Sequence, residues 1–199
     1  LKEDAYKYCD NTSGVARTLK AVNTLIVNKD GVYGDNTDPI GFEKSIANKG
    51  LNNKLCLVLG AGGSARAVVY ALTHMKCEIG IYNRTRENAE SLCSDLGVEA
   101  TVLTEKTISE FIRSSQLVVN TTSLGQQEGE ENNLIDFDNL NSSAHVYDLI
   151  YNPSKTTFLR RAEKNGCTVQ NGLEMLIHQA AQSFNLWHDT MPEIDEDLM

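Results

Sequence analysis

The chain has 199 residues, 41% hydrophobic and 23% charged, which is an ordinary globular composition with room for one large domain or one domain and part of a second. Its net charge of −9, with no Lys/Arg-rich stretch, argues against a nucleic-acid partner, and no apolar run is long enough to span a membrane as a helix. Five cysteines without a CxxC pair fit packed thiols in a reducing compartment, and four scattered histidines give no metal-ligand spacing, so no metal is expected.

The first residue is Leu1 and no leader pattern precedes the fold, so the sequence reads as part of a longer polypeptide. Lys2 to Cys9 is a short helical stretch ended by Asn11-Thr12-Ser13-Gly14. Ala21 to Val27 is β-prone, and the turn Asn28-Lys29-Asp30-Gly31 lets Val32-Tyr33 return as a hairpin partner. Asp38-Pro39 marks a helix start, with Asp38 as N-cap and Pro39 at the first helical position, and the helix ends near Lys49-Gly50. Leu55 to Leu59 is continuously apolar and reads as a buried strand. A helix follows, then strands at Cys77–Tyr82 and Val98–Leu103 around a helix that carries Ala89, Leu92, Cys93 and Leu96 on one face and stops at Gly97. Thr107-Ile108-Ser109-Glu110 has capping-box spacing before a further helix. Leu117–Asn120 and Val146–Ile150 are further strands, and Gln126–Asn133 is an exposed loop. Gly172 to His188 is a long amphipathic helix with Leu173, Leu176, Ile177, Ala180, Phe184 and Trp187 inward. Glu193 to Asp197 reads as a solvated acidic tail. The alternation gives an α/β fold: a doubly wound, mostly parallel sheet with helices on both faces.

The chemistry begins at Gly60-Ala61-Gly62-Gly63-Ser64-Ala65, a GxGxxA turn between a buried strand and a helix. Gly60 permits the tight turn, Gly62 lets a pyrophosphate approach the backbone, and Ala65 lets the helix lie close to the strand. The helix N-terminus then offers N–H groups and positive dipole to phosphate. An NAD site usually carries an acid about 20 residues further on, to bond the ribose 2′-hydroxyl. Here that place holds Tyr82-Asn83, followed by Arg84-Thr85-Arg86. A carboxylate repels a 2′-phosphate and a guanidinium grips it, so NADP is the expected cofactor.

The motifs Leu1-Lys2-Glu3-Asp4-Ala5, Ala21-Val22-Asn23-Thr24 and Gly34-Asp35-Asn36-Thr37-Asp38 resemble, in order and spacing, those of shikimate dehydrogenases. The series continues through the glycine turn to Arg66, Asn83-Arg84-Thr85, Asn120-Thr121-Thr122-Ser123, Tyr151-Asn152-Pro153 and Gly172-Leu173…Met175-Leu176…Gln179-Ala180-Ala181. The resemblance covers essentially the whole chain. It implies a Rossmann-like cofactor domain and NADP-dependent, reversible reduction of 3-dehydroshikimate to shikimate, in chorismate and aromatic amino acid biosynthesis. It places Lys2 and Asp38 as the catalytic pair, Asn23, Tyr151 and Gln179 on the substrate, and Gly172 beside the nicotinamide. It also places Gly60 to Ala65, Asn83 to Arg86 and Thr121, Thr122 and Ser123 around the cofactor. Residues 1–38 then close a smaller α/β substrate domain, 39–50 form a linker helix, 51–171 the cofactor domain, and 172–199 a helix returning to the substrate domain with an acidic tail.

From the residues alone, Lys2 also reads as a surface lysine, Asp38 as a plain N-cap, Asn23 as a backbone partner at a strand end and Tyr151 as turn packing. The chemistry suits the pair: a carbonyl that receives hydride becomes an alkoxide, which a lysine ammonium beside a carboxylate can protonate. Two departures stand out. Pro39 occupies a place where the family commonly has Gly, and Asn88 stands where a second arginine is usual, with Arg86 nearby. The family's first segment, which carries serines that bind the shikimate carboxylate, has no counterpart in this sequence, so the chain alone is expected to bind NADP more readily than it turns over substrate. The alternatives are a quinate or dual quinate/shikimate enzyme and a non-catalytic NADP-binding module of a larger polypeptide, including one fused to other shikimate-pathway domains. A cytoplasmic location, or a plastid stroma, is expected, with a small-molecule substrate and no nucleic-acid or membrane partner.

Overall fold

The computed structural model describes residues 1–127, 130 and 132–195. The chain opens with α1 (Lys2–Lys7), β1 (Asn11–Thr12), α2 (Gly14–Leu19), β2 (Thr24–Asn28), β3 (Gly31–Asp35) and α3 (Asp38–Ser45). It continues with β4 (Leu55–Leu59), α4 (Gly63–His74), β5 (Glu78–Tyr82), α5 (Arg86–Leu96), β6 (Thr101–Val102), α6 (Ile108–Ser114) and β7 (Leu117–Asn120). It closes with β8 (His145–Asp148), α7 (Thr157–Lys164), β9 (Thr168–Gln170) and α8 (Leu173–His188).

Six strands form one parallel sheet in the order β6-β5-β4-β7-β8-β9. The order doubles back between β4 and β7, where the chain first winds one way from β4 and then the other. This is the place where open α/β sheets leave a crevice at the carboxyl ends of their strands. Alternate residues of β4 serve opposite faces: Cys56 and Val58 pack with Val68, Leu72 and Leu92, whereas Leu57 and Leu59 pack with Ile112, Phe137 and Phe158. Both faces are therefore covered, as a parallel sheet of continuous apolar strands requires.

A second, three-stranded sheet has the order β1-β3-β2, with β2 and β3 antiparallel as the hairpin turn foretells. Helix α3 leads from this sheet toward the large one, and α8 returns to pack along α3.

Several local expectations are corrected. Thr37, not Asp38, occupies the N-cap of α3, and Asp38 is its first helical residue. The Asp38 carboxylate turns instead to side chains outside the helix, which leaves it no capping role. The helix stops at Ser45, and a single 3-10 turn (Ala47–Lys49) carries the chain to Gly50 at φ +62°. The third strand shrinks to Thr101–Val102, and the strand expected to reach Ile150 ends at Asp148. Thr107 sits at the N-cap of α6 without a side-chain cap bond, because its hydroxyl accepts from the Thr104 amide. The helix α7 and strand β9 have short or strongly charged sequences that hide them from a reading of apolar runs.

Helix α8 buries Ala181 and Ser183, while Leu176, Phe184 and Trp187 are exposed and Ala180 is exposed too. The inward face expected from hydrophobicity is thus rotated. The two helices lie close where α3 presents Gly41: a Cβ there would stand 2.8 Å from the Met175 carbonyl oxygen. In the polar loop, Gln126, Gln127 and Asn133 are exposed but Asn132 is buried; Glu128, Gly129 and Glu131 lie outside the described residues. So do Glu196 and Asp197 of the acidic tail.

Candidate active site

Lys2 and Asp38 are 36 positions apart and meet across the small sheet. The Lys2 ammonium donates to Asp38 Oδ2 at 2.5 Å. The lysine side chain is half exposed (49%), whereas that of Asp38 is nearly buried (9%). Lys2 is anchored by its backbone, for its carbonyl accepts from the Val22 amide at 2.9 Å, tying α1 to the residues before β2. Asp38 is held from its other oxygen, which accepts from Asn23 Nδ2 at 2.8 Å. One carboxylate oxygen is therefore committed to the half-buried Asn23 amide and the other faces the ammonium.

The Asn23 amide is the hub. Its Nδ2 lies 3.0 Å from Thr37 Oγ1 and 3.3 Å from Gln179 Oε1, and its Oδ1 accepts from the Thr37 amide at 3.0 Å. Ser183 extends the network, with its hydroxyl 2.7 Å from Thr24 Oγ1 and 3.1 Å from Thr37 Oγ1. Asn36 folds its side chain under the turn, accepting from the Asp38 amide at 3.1 Å and donating to the Ala21 carbonyl at 3.0 Å. These buried polar groups satisfy one another, so the network holds one arrangement rather than many.

Lys2, Asp38, Asn23 and Gln179 line one side of a cleft of about 310 Å³; Tyr151, Gly172, Leu149 and Ser64 line the other. Tyr151 is 51% exposed, with its ring open to this space. Gly172 is there because nothing larger fits: a Cβ would lie 2.1 Å from the Leu149 carbonyl oxygen. A neighbouring cleft of about 320 Å³ is lined by Thr121, Thr122, Ser123, Gln126 and Ile150, and it shares Ser64, Leu149 and Tyr151 with the first. The two spaces meet at the carboxyl ends of β4, β7 and β8.

The glycine turn leaves β4 at this same edge. Gly60 has φ +109°, a left-handed conformation that side chains rarely adopt, and a Cβ there would stand 2.6 Å from Thr121 Oγ1. Gly62 and Gly63 face open space, with no heavy atom within 4 Å of an added Cβ. Gly62 sits at the N-cap of α4 and makes no side-chain cap bond, so the first amides of a twelve-residue helix open onto that space. This cradle fits a dinucleotide pyrophosphate.

The segment after β5 carries the expected arginines. Asn83 folds its amide onto the Thr85 carbonyl at 2.7 Å, shaping the turn, and Arg86 is occupied by Glu90 at 2.7 Å. Among the described residues Arg84 makes no ion pair. The structure thus gathers Lys2, Asp38, Asn23, Gln179, Tyr151 and Gly172 at one cleft and sets the arginines apart, at the end of the neighbouring strand. Thr37, quoted only as part of the Gly34–Asp38 motif, joins the site, and so does Ser183, which no motif held. Ser183 lies four residues beyond Gln179, one helical turn along the same face, and that spacing was the available signal.

A parallel doubly wound sheet, a glycine turn at its switch point and a facing lysine–carboxylate pair define a dinucleotide-dependent dehydrogenase. Comparison with known proteins agrees. The model for shikimate/quinate 5-dehydrogenase matches residues 43–128, and that for the shikimate 5′-dehydrogenase C-terminal domain matches residues 172–198. The shikimate dehydrogenase (NADP(+)) of Caldicellulosiruptor saccharolyticus is 38% identical over 193 residues, which span 94% of this chain and 69% of the relative. The Thermus thermophilus shikimate 5-dehydrogenase, solved with NADP(H) and shikimate, superposes with a TM-score of 0.85 at 34% identity, covering 97% of this chain and 72% of that one. Quinate dehydrogenase from Corynebacterium glutamicum, solved with NAD, gives 0.85 at 30% identity over 96% of this chain and 71% of its own. The chain belongs to the shikimate/quinate dehydrogenase family.

Proposed function

We propose that this protein is an NADP-dependent shikimate dehydrogenase, reversibly reducing 3-dehydroshikimate to shikimate, and that Lys2 and Asp38 are its catalytic pair. The observation that carries the reading is the cleft in which the ammonium–carboxylate pair faces Gly172 and Tyr151 while the glycine turn opens beside it. The nicotinamide, when bound, supplies or accepts the hydride. Lys2 gives the proton that the substrate oxygen takes up as it becomes a hydroxyl and takes it back in the oxidative direction, and Asp38 fixes the ammonium in place.

Asn23 and Gln179 meet the substrate hydroxyls, since an amide both donates and accepts. Their mutual contact at 3.3 Å is long enough to be exchanged for a ligand. Tyr151 covers the open side of the ring. Gly60 to Ala65 hold the pyrophosphate, Thr121 to Ser123 line the inner half of the cofactor site, and Arg84, which makes no ion pair among the described residues, takes the 2′-phosphate. Residues 1–38 and 172–199 belong to the substrate side and 51–171 to the cofactor side, joined through residues 39–50. Among the described residues no helix is long and apolar enough to cross a membrane. A cytoplasmic location suits the free thiols of the five cysteines.

The NAD-linked quinate reading has one observation in its favour, the fold similarity to the quinate enzyme. It lacks an acid at the end of β5 and offers Asn83 and Arg84 there instead. The test is spectrophotometric: shikimate or quinate is offered with NADP or NAD, and reduction of the nicotinamide is followed. Shikimate with NADP should give the fastest reduction. Faster turnover of quinate with NAD gives the runner-up; binding of NADP with no turnover of either substrate leaves a nucleotide-binding module.

A further inference from the structure

Asp148 is a fully buried carboxylate that the reaction does not use. It ends β8, directly below the cleft lined by Thr121 to Ser123 and Leu149 to Asn152. Its Oδ1 accepts from Asn120 Nδ2 at 3.0 Å and from the Ile150 amide at 3.2 Å, and its Oδ2 accepts from Thr156 Oγ1 at 2.6 Å. A carboxylate in that setting only accepts, which fixes the sense of every bond beyond it. Asn120 must present its amide hydrogens to Asp148, so its carbonyl turns to accept from the amide and hydroxyl of Thr122, at 3.1 and 2.7 Å. Thr156 must give its hydrogen to Asp148, so its oxygen is left to accept from the Leu159 amide at 3.3 Å and start α7. One buried group therefore sets two separate loops, one after β7 and one after β8.

Those loops form opposite walls of the cleft. The first packs against the glycine turn, since Thr121 and Thr122 are the atoms nearest a Cβ on Gly60. The second carries Leu149, whose carbonyl presses on Gly172, and Tyr151. The cleft also shares Ser64, Leu149 and Tyr151 with the space holding Lys2 and Asp38, so it lies at the reacting end of the dinucleotide path and not at the adenosine end.

We infer that Asp148 is a positioning residue: through Asn120 and Thr156 it presets the two loops that receive the nicotinamide half of the cofactor. The inference rests on this cleft being the cofactor site. Burial raises the Asp148 carboxyl above its ordinary range, while its hydrogen-bond donors pull the other way. Removing one donor is therefore felt at the whole group.

The test separates the two halves of the dinucleotide. Affinity for NADPH and for 2′,5′-ADP, which carries only the adenosine half, is measured by fluorescence and calorimetry in wild type, Thr156→Val, Thr156→Ser and Asp148→Asn. Thr156→Val removes the donor at nearly constant volume, and Asp148→Asn keeps the shape while reversing one bond. Both should weaken NADPH by about tenfold, the scale of one charge-assisted hydrogen bond, and leave 2′,5′-ADP unchanged, and Thr156→Ser should restore NADPH binding. Equal loss for both ligands, or no loss for either, overturns the positioning role. If Thr156→Val does not fold, the near-isosteric Asp148→Asn decides by the same comparison. Wild type that binds neither ligand overturns the cofactor reading itself, a result distinct from either outcome in the variants.

Discussion

Gly41 lies against Gln179 so closely that a Cβ on Gly41 would stand 2.8 Å from Gln179 Cβ and 3.0 Å from its backbone nitrogen. The contact joins the helix that begins at Asp38 to the helix that carries Gln179, so packing and site geometry share one point. Because the neighbouring atoms are mostly helix backbone, they cannot swing aside. Gly41→Ala should destabilise the protein by about 1–3 kcal/mol, the usual cost of overpacking. It should also raise KM for shikimate more than KM for NADP, since Gln179 moves and the glycine turn does not. Equal changes in both constants would show that the contact serves stability alone.

Lys2 and Asp38 predict a division between binding and turnover. Lys2→Ala should lower kcat by about 10²–10⁴-fold, the range for a positioned proton donor. NADPH affinity should stay within a factor of about two, because Lys2 lies across the cleft from the glycine turn and makes no bond to it. Asp38→Asn should cut kcat similarly while freeing the lysine from its 2.5 Å bond. If Lys2→Ala turns over shikimate at the wild-type rate, the pair is a structural ion pair and the proton comes from elsewhere.

The two arginines after β5 should behave differently despite their spacing. Arg86 already bonds Glu90, whereas Arg84 pairs with no carboxylate among the described residues. Arg84→Ala should therefore lower the preference for NADP over NAD by about 10–100-fold, the worth of a charge-assisted contact to phosphate. Arg86→Ala should change it by less than about threefold, since that guanidinium is bound to its own helix. The ratio of kcat/KM for the two cofactors reads this directly.

Much of the site was legible because its signals are local. The strand Leu55–Leu59 is apolar throughout, and the glycine turn follows it at once, so sequence neighbours are spatial neighbours. Lys2, Asn23, Asp38 and Gln179 were different, for nothing in their spacing brings them together; only the motif series linked them. In the fold they bond one another directly, braced by Thr37 and by Ser183, a small hydroxyl residue outside every motif. Helix α8 misled for a physical reason. Its large apolar residues suggest the buried face, but α8 meets α3 at Gly41 through Met175 and Gln179, buries Ala181 and Ser183, and leaves Phe184 and Trp187 exposed. Trp187 still finds a partner, donating its indole N–H to the Leu25 carbonyl at 2.9 Å. Asp148 escaped notice because a carboxylate inside an apolar strand looks like an edge, and only the fold shows the three donors around it.

His145 predicts how stability depends on pH. It is buried at the start of β8, where Nε2 lies 2.8 Å from Gln170 Oε1 and Nδ1 lies 2.9 Å from Thr168 Oγ1. Gln170 donates its amide to the Ser45 carbonyl and to Glu174, so its oxygen faces the ring and Nε2 carries the hydrogen. A neutral ring satisfies both contacts. Burial pushes the imidazole below its ordinary value of 6.5, and the nearby Lys49 charge adds to that, outweighing the hydrogen bond to Gln170. The unfolded chain then binds more protons than the folded one in the window below 6.5. The stability held above that value is lost as pH falls through the folded-state pKa. Burial shifts His178 in the same direction, so the two imidazoles add. His145→Gln removes one of them and should flatten the fall in unfolding free energy across this window, by at most about 1.4 kcal/mol per pH unit. Urea unfolding of wild type and variant on both sides of the window measures the slope. An unchanged slope in His145→Gln would mean that His145 is protonated inside the folded protein and that the acid loss comes from other groups.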